Sequence, residues 1–88
     1  MLLPENLDLK AAGPLRGMLM EARGAGVEID ASGVQRLGGL CLQVLLSAEA
    51  TWATDGHPFV ISAASPAFAE GAQRMGAHTL APDLIIQE

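Results

Sequence analysis

The stretch Val27-Glu28-Ile29-Asp30-Ala31-Ser32-Gly33-Val34-Gln35-Arg36-Leu37-Gly38-Gly39-Leu40-Cys41-Leu42-Gln43-Val44-Leu45-Leu46 decides the fold, because it runs from a strand through a turn into a buried helix. Val27 and Ile29 alternate with Glu28 and Asp30, the period of a strand with one face covered, and the run is short enough to sit centrally in a small sheet. Ser32-Gly33 then turns the chain. Over residues 39–54 the apolar side chains of Leu40, Leu42, Val44, Leu45, Leu46 and Trp52 lie nearly all round the helix axis, as in a helix packed into a core. Asp55-Gly56 stops it.

Working outward, Met1-Leu2-Leu3 reads as a short edge strand halted by Pro4, which has no N–H to give to a ladder. Over residues 10–23, Leu15, Met18, Leu19 and Ala22 recur at helical spacing, with Pro14 confined to the first turn and Gly24 and Gly26 ending the segment. Downstream, Phe59-Val60-Ile61 reads as a buried strand. Ser65-Pro66 places a capping hydroxyl before a proline at the first helical position, and the helix over 66–75 buries Phe68, Ala72 and Met75 before Gly76 closes it. Leu84-Ile85-Ile86 suits a further short strand or helix. This order predicts an α/β fold, a small mixed β-sheet of about four strands covered by about three to four helices. With no internal repeat and no linker, the 88 residues make a single domain over 1–88.

The chain is half hydrophobic but only 3% aromatic. Its core is therefore built from Leu, Ile, Val, Ala and Met, and the flat rings on which bases stack are nearly absent. Ten acidic residues against five basic ones give a formal charge of −5. Lys10, Arg16, Arg23, Arg36 and Arg74 are scattered and form no stripe that would track phosphates, so nucleic acid is not an expected partner. The one cysteine, Cys41, excludes an internal disulfide and suits a reducing compartment, so a cytoplasmic location is expected. The start of the chain lacks the basic flank and apolar run of a signal peptide. The longest apolar stretch, 40–53, is broken by Gln43, Ser47, Glu49 and Thr51, too short and polar to insert across a bilayer.

Taken together, these segments resemble the STAS domain family of the bacterial anti-sigma factor antagonists. In that family a strand ending in Asp-Leu-Ser leads through a short apolar link into Asp-Ser-Ser-Gly-Leu at a helix start. Asp30-Ala31-Ser32 fits the first half. Counting on from Asp30, the second half falls on Gly38, Gly39, Leu40, Cys41 and Leu42. Asn6-Leu7-Asp8, the helix opening near Ala11, Cys41-Leu42-Gln43-Val44-Leu45, and Ser65-Pro66-Ala67-Phe68-Ala69-Glu70 followed by Met75-Gly76 all fall where STAS domains place similar residues. The likeness covers nearly the whole chain. It looks most like the short stand-alone STAS proteins of bacteria, including those associated with chemotaxis gene clusters and the cytoplasmic STAS subunit of lipid transporters.

The resemblance implies a non-enzymatic protein-protein interaction module in bacterial signalling. Its partner would be a signalling protein such as a kinase or an anti-sigma factor, docked on residues 36–43 with help from the Asn6-Leu7-Asp8 loop. The expected partner-binding residues are Asn6, Asp8, Ser32, Arg36, Gly38, Gly39, Leu40 and Gln43. In the family a phosphorylated serine or threonine sits at this helix N-terminus, where unpaired N–H groups and the helix dipole favour added negative charge. Here Gly39 or Leu40 holds the acceptor position, so no phosphorylation is expected there. A second reading is the cytoplasmic STAS subunit of a lipid ABC transporter, which would bind the ATPase and modulate assembly.

The same residues also admit plainer roles. Gly38-Gly39 is either a flexible turn or a low-relief surface that lets a partner approach the backbone. Ser32 is the nearest hydroxyl to the vacant switch, yet a serine before glycine after a strand is first of all a turn former. Ser47 is expected to pack inside its helix. Cys41 carries the competing class, a small thiol-dependent enzyme or redox protein, but it lies between leucines with no histidine near it in sequence and reads as a small buried hydrophobe. His57 and His78 stand in separate loops without metal-ligand spacing and are expected at the surface. Asp8, Asp30, Asp55 and Asp83 sit at turns or helix starts, where carboxylates cap backbone donors. Neither Gly24-Ala25-Gly26 nor Gly38-Gly39 has the lysine or third glycine of a phosphate-binding loop. No catalytic residue, metal or cofactor is expected.

Overall fold

In the computed structural model, which describes residues 1–77, the chain forms β1 (Asn6–Leu7), α1 (Ala12–Ala22), β2 (Val27–Ala31), β3 (Arg36–Leu37), α2 (Gly39–Asp55), β4 (Phe59–Ala64) and α3 (Pro66–Arg74), with a 3-10 turn at Leu9–Ala11 leading into α1. β2 and β4 pair in parallel from Val27 opposite Phe59 to Ala31 opposite Ala64, with a register shift between Ile29 and Asp30. β1 and β3 also pair in parallel, Asn6 opposite Arg36 and Leu7 opposite Leu37. The N-terminal segment adds a parallel bridge between Leu2 and Asp30, and the Met1 ammonium donates to the Glu28 carbonyl at 2.8 Å.

The α/β architecture expected from the sequence is observed. In place of one mixed sheet of about four strands, the described strands form two two-stranded sheets, β1 with β3 and β2 with β4, and every pairing among the described residues is parallel. The reason lies in the connections: β2 reaches β4 by way of α2, and β1 reaches β3 by way of α1 and β2, so no hairpin turns one strand back on its neighbour. Leu84-Ile85-Ile86, His78 and Asp83 lie outside the described residues.

Local sequence sets the boundaries of each helix. The Asp8 carboxylate accepts from the Ala11 N–H at 3.1 Å and opens the turn before α1. Pro14 is the third residue of α1, where a helix leaves its N–H groups unpaired. α1 buries Ala12, Leu15 and Leu19, one stripe at helical spacing. α2 buries Cys41, Leu42, Leu45, Ala48 and Trp52 and ends at Gly56, whose φ of 76° is the left-handed conformation glycine tolerates. Ser65 caps α3 by accepting from the Phe68 N–H at 3.1 Å, ahead of Pro66.

Four expectations about burial are corrected. α2 is not apolar all round in its packing: Leu40 is 48% exposed and Leu46 is only partly buried, because α1 and the strands cover one side of the helix. Ser47 is exposed rather than packed, and its carbonyl accepts from the Thr51 hydroxyl at 2.9 Å. β4 is covered on one face only, with Val60 exposed between the partly buried Phe59 and Ile61. Met75 is 43% exposed, because α3 ends at Arg74 and leaves Met75 beyond its buried stripe of Phe68, Ala69 and Ala72.

The innermost side chains are Leu7, Leu15, Ile29, Val34, Cys41, Leu45 and Phe68, drawn from five elements and the loop after β2. At the end of the molecule away from the α2 start, side chains interlock. The Trp52 indole N–H donates to the Ala25 carbonyl at 2.8 Å, and its ring meets Phe59 edge-on at 5.8 Å between centroids. Arg23 grips Asp55 with two hydrogen bonds, of 2.9 and 3.3 Å. A side chain at Gly26 would place its Cβ 2.8 Å from the Pro58 ring, so only glycine lets the two loops close.

Candidate partner-docking surface

The opposite end is assembled from backbone. The short β1–β3 ladder sets Asn6 beside Arg36, both exposed. One step further, the Gly38 N–H donates to the Leu7 carbonyl at 2.8 Å, and the chain passes straight into α2. A Cβ at Gly38 would stand 3.0 Å from that carbonyl oxygen and 3.9 Å from the Asp8 Cα, so glycine here serves the close approach of two backbones. Gly39 is different. A Cβ there would meet only the Met75 sulfur, at 3.9 Å, and the residue is exposed.

Gly38 caps α2 with φ −87° and ψ 159° and supplies no side-chain acceptor. The first helical hydrogen bond runs from the Leu42 N–H to the Gly38 carbonyl at 3.1 Å. The amides of Gly39, Leu40 and Cys41 are therefore among those a helix leaves without an internal partner. The Cys41 thiol points the other way, donating to the Asp8 carbonyl at 3.2 Å from a fully buried position. Burial, reinforced by the nearby Asp8 charge, pushes this thiol up from its ordinary pKa. A buried thiol kept protonated is a poor nucleophile, and Cys41 acts instead as a packing residue that fixes the turn after β1.

These ties bring the Asn6–Asp8 segment next to Arg36 and the start of α2 at Gly38, Gly39 and Leu40. Ser32 is exposed in the turn after β2, where its N–H donates to the Asp30 carboxylate at 2.9 Å. Hydrogen bonds from Ser32 hold the Asp30 carboxyl below the usual range, the behaviour of a turn-forming pair. Gln43 is exposed one turn beyond Leu40 and with it enters a groove of about 380 Å³ between α1 and α2, which Met20, Val44 and Trp52 also line.

Sequence reasoning missed three contributors. Leu9, 79% exposed, stands beside Asp8 on the 3-10 turn, Met75 borders Gly39, and Met20 walls the groove at 58% exposure. The signal was available for one of them: Met20 lies outside the buried α1 stripe of Ala12, Leu15 and Leu19.

Chemically, the surface offers apolar knobs, the exposed helix start at Gly39 and Leu40 and the Arg36 guanidinium, a combination suited to protein contact. No group of three or more His, Cys, Asp or Glu residues among the described residues could hold a metal ion. His57 is half-buried, and no described helix is long and apolar enough to cross a membrane. A family model described as the Mlab, STAS domain matches residues 2–86. No curated protein and no solved structure matches the chain. The family match spans almost the whole sequence, and with the helix-covered parallel ladders beneath it the chain belongs to the STAS domain family.

Proposed function

We propose that this STAS domain is a non-enzymatic interaction module of bacterial signalling, related to the anti-sigma factor antagonists, that docks a cytoplasmic signalling protein such as a kinase or an anti-sigma factor. Docking uses the α2 start, with Arg36 and the Asn6 and Asp8 turn beside it. The observation that carries this reading is the Gly38-Gly39-Leu40 helix start, where bare backbone and an exposed leucine stand at the position that the resemblance assigns to the family's phosphoacceptor. The contact is consequently insensitive to phosphorylation at that position.

The test is calorimetry with the candidate partner encoded beside the gene. Gly39→Glu should weaken binding at least about tenfold, equivalent to about 1.4 kcal/mol, because it sets a charged side chain on the approach. The open space at Gly39 and its ordinary φ leave the fold intact. Unchanged affinity in a protein that melts normally would move the docking surface elsewhere.

A second reading, the cytoplasmic STAS subunit of a lipid ABC transporter, is favoured by the same missing hydroxyl, since a permanent subunit contact needs no switch. Gly39→Glu would then weaken binding to the transporter ATPase, and a kinase or anti-sigma factor would not bind at all.

A further inference from the structure

The groove between α1 and α2 has a composition that the α2 start alone does not account for. Leu19 and Trp52, both buried, form its floor, and the exposed Met20 and Leu40 form its walls. Two of the chain's five basic residues, Arg16 and Arg23, line it, and among the described residues no carboxylate does. Arg23 is neutralised by Asp55 at 2.9 Å, whereas Arg16 is exposed and has no ion-pair partner among the described residues. On a protein of net charge −5 this is a local reversal of sign.

A furrow between two adjacent helices is a seat for a third, which lays an apolar stripe spaced i, i+3, i+4, i+7 along it. Between Leu40 and Trp52 the furrow follows α2 for about 18 Å, the length of a little over three helical turns. Its open side suits a rod better than a small molecule, since small-molecule pockets enclose most of their ligand.

We propose that this groove seats an acidic amphipathic helix of the partner protein, with its apolar stripe against Met20, Leu40, Val44 and Trp52 and a carboxylate against Arg16. The inference rests on the docking-module reading and deepens it by naming the chemistry of the partner.

The test uses two synthetic helices of about 14 residues, roughly 21 Å long, with the same leucine stripe and no aromatic residue. One is flanked by glutamates and its twin by lysines. Trp52 is the only tryptophan, so its emission reports occupancy directly. The glutamate helix should give a saturable change at low salt, and the lysine twin should bind at least about threefold more weakly, the scale of one exposed ion pair gained or opposed. Arg16→Glu should invert that order without changing the melting temperature. No saturable response to the glutamate helix, or an unchanged order in Arg16→Glu, would overturn the proposal. So would a response to sodium dodecanoate with neither helix bound, which would make the groove a site for lipid chains. If both helices fail while the neighbouring gene product still binds and still loses affinity in Gly39→Glu, the groove assignment falls and the docking surface stands.

Discussion

Truncation of Leu45 gives the most direct measure of how α2 is held. Leu45 is fully buried midway along the α2 stripe, between Leu42 and Ala48. Leucine to alanine removes three carbons, a transfer loss of about 2.4 kcal/mol at about 0.8 kcal/mol per methylene. The neighbours come from both layers and cannot all follow the missing atoms inward, so the cavity term brings the total to about 3–4.5 kcal/mol. A domain of this length has roughly 4–13 kcal/mol in all. Urea unfolding followed by Trp52 fluorescence should therefore show a variant close to its limit, with the melting temperature lowered by more than about 12 °C. Two controls sharpen the test: partly buried Leu46→Ala should cost about 1–2 kcal/mol, and exposed Leu40→Ala less than about 0.5 kcal/mol. A loss below about 1 kcal/mol at Leu45, or one no larger than at Leu46, would mean that the buried face of α2 has been misassigned.

Three other outcomes are expected. In the folded protein Cys41 should react with a thiol reagent on the order of a hundredfold more slowly than in urea, because labelling must wait for local opening; rapid native labelling would revive the thiol reading. The Asp55 carboxyl is held below its usual range, chiefly by the hydrogen bond from Arg23. Its contribution to stability is present above about pH 4 and is lost as the pH falls through the lowered folded value, so in Asp55→Asn the urea midpoint should fall less steeply between about pH 5 and pH 3. Equal slopes would show that the pair does not couple to folding. Incubation with a kinase from the gene neighbourhood and ATP should leave residues 38–41 without phosphate by intact mass and peptide mapping, and a phosphate on Ser32 would relocate the switch to the turn after β2.

Much of the architecture was legible because it is written in local chemistry. The Val27 and Ile29 alternation, the Ser65-Pro66 cap and the Gly56 stop each specify a boundary through one or two residues, and each falls where the pattern places it. The β1 and β3 strands were not legible. Asn6-Leu7 and Arg36-Leu37 are two residues each, too short to show a period, and they become strands only by finding one another. Burial around α2 was overestimated for a related reason. Leu40 and Leu46 match Leu42 and Leu45 in residue type, and only the placement of α1 and the strands decides which pair goes inside. Within the proposed docking surface, Arg36 and Gly38 are joined to the β1 segment by backbone bonds to the Glu5 and Leu7 carbonyls, whereas Ser32 sits in the turn after β2 with its N–H bonded to Asp30. The α1–α2 groove is a property of two packed helices: each sequence alone shows an apolar residue off the buried stripe, Met20 in α1 and Leu40 in α2, but not that the two flank one furrow.

The parallel ladders also govern how this chain comes to be folded. Asn6 pairs with Arg36 and Val27 with Phe59, partners about 30 residues apart, and no hairpin is available to begin the process. During synthesis β1, β3 and the α2 start emerge before β4, so the edge of β2 waits uncovered for its partner, and β3 waits for α3. Until Phe59–Ala64 arrives, that edge is open to pairing with other nascent copies. Yield in the cell should accordingly follow the pace of translation and the supply of chaperones more closely than it follows the stability of the finished domain.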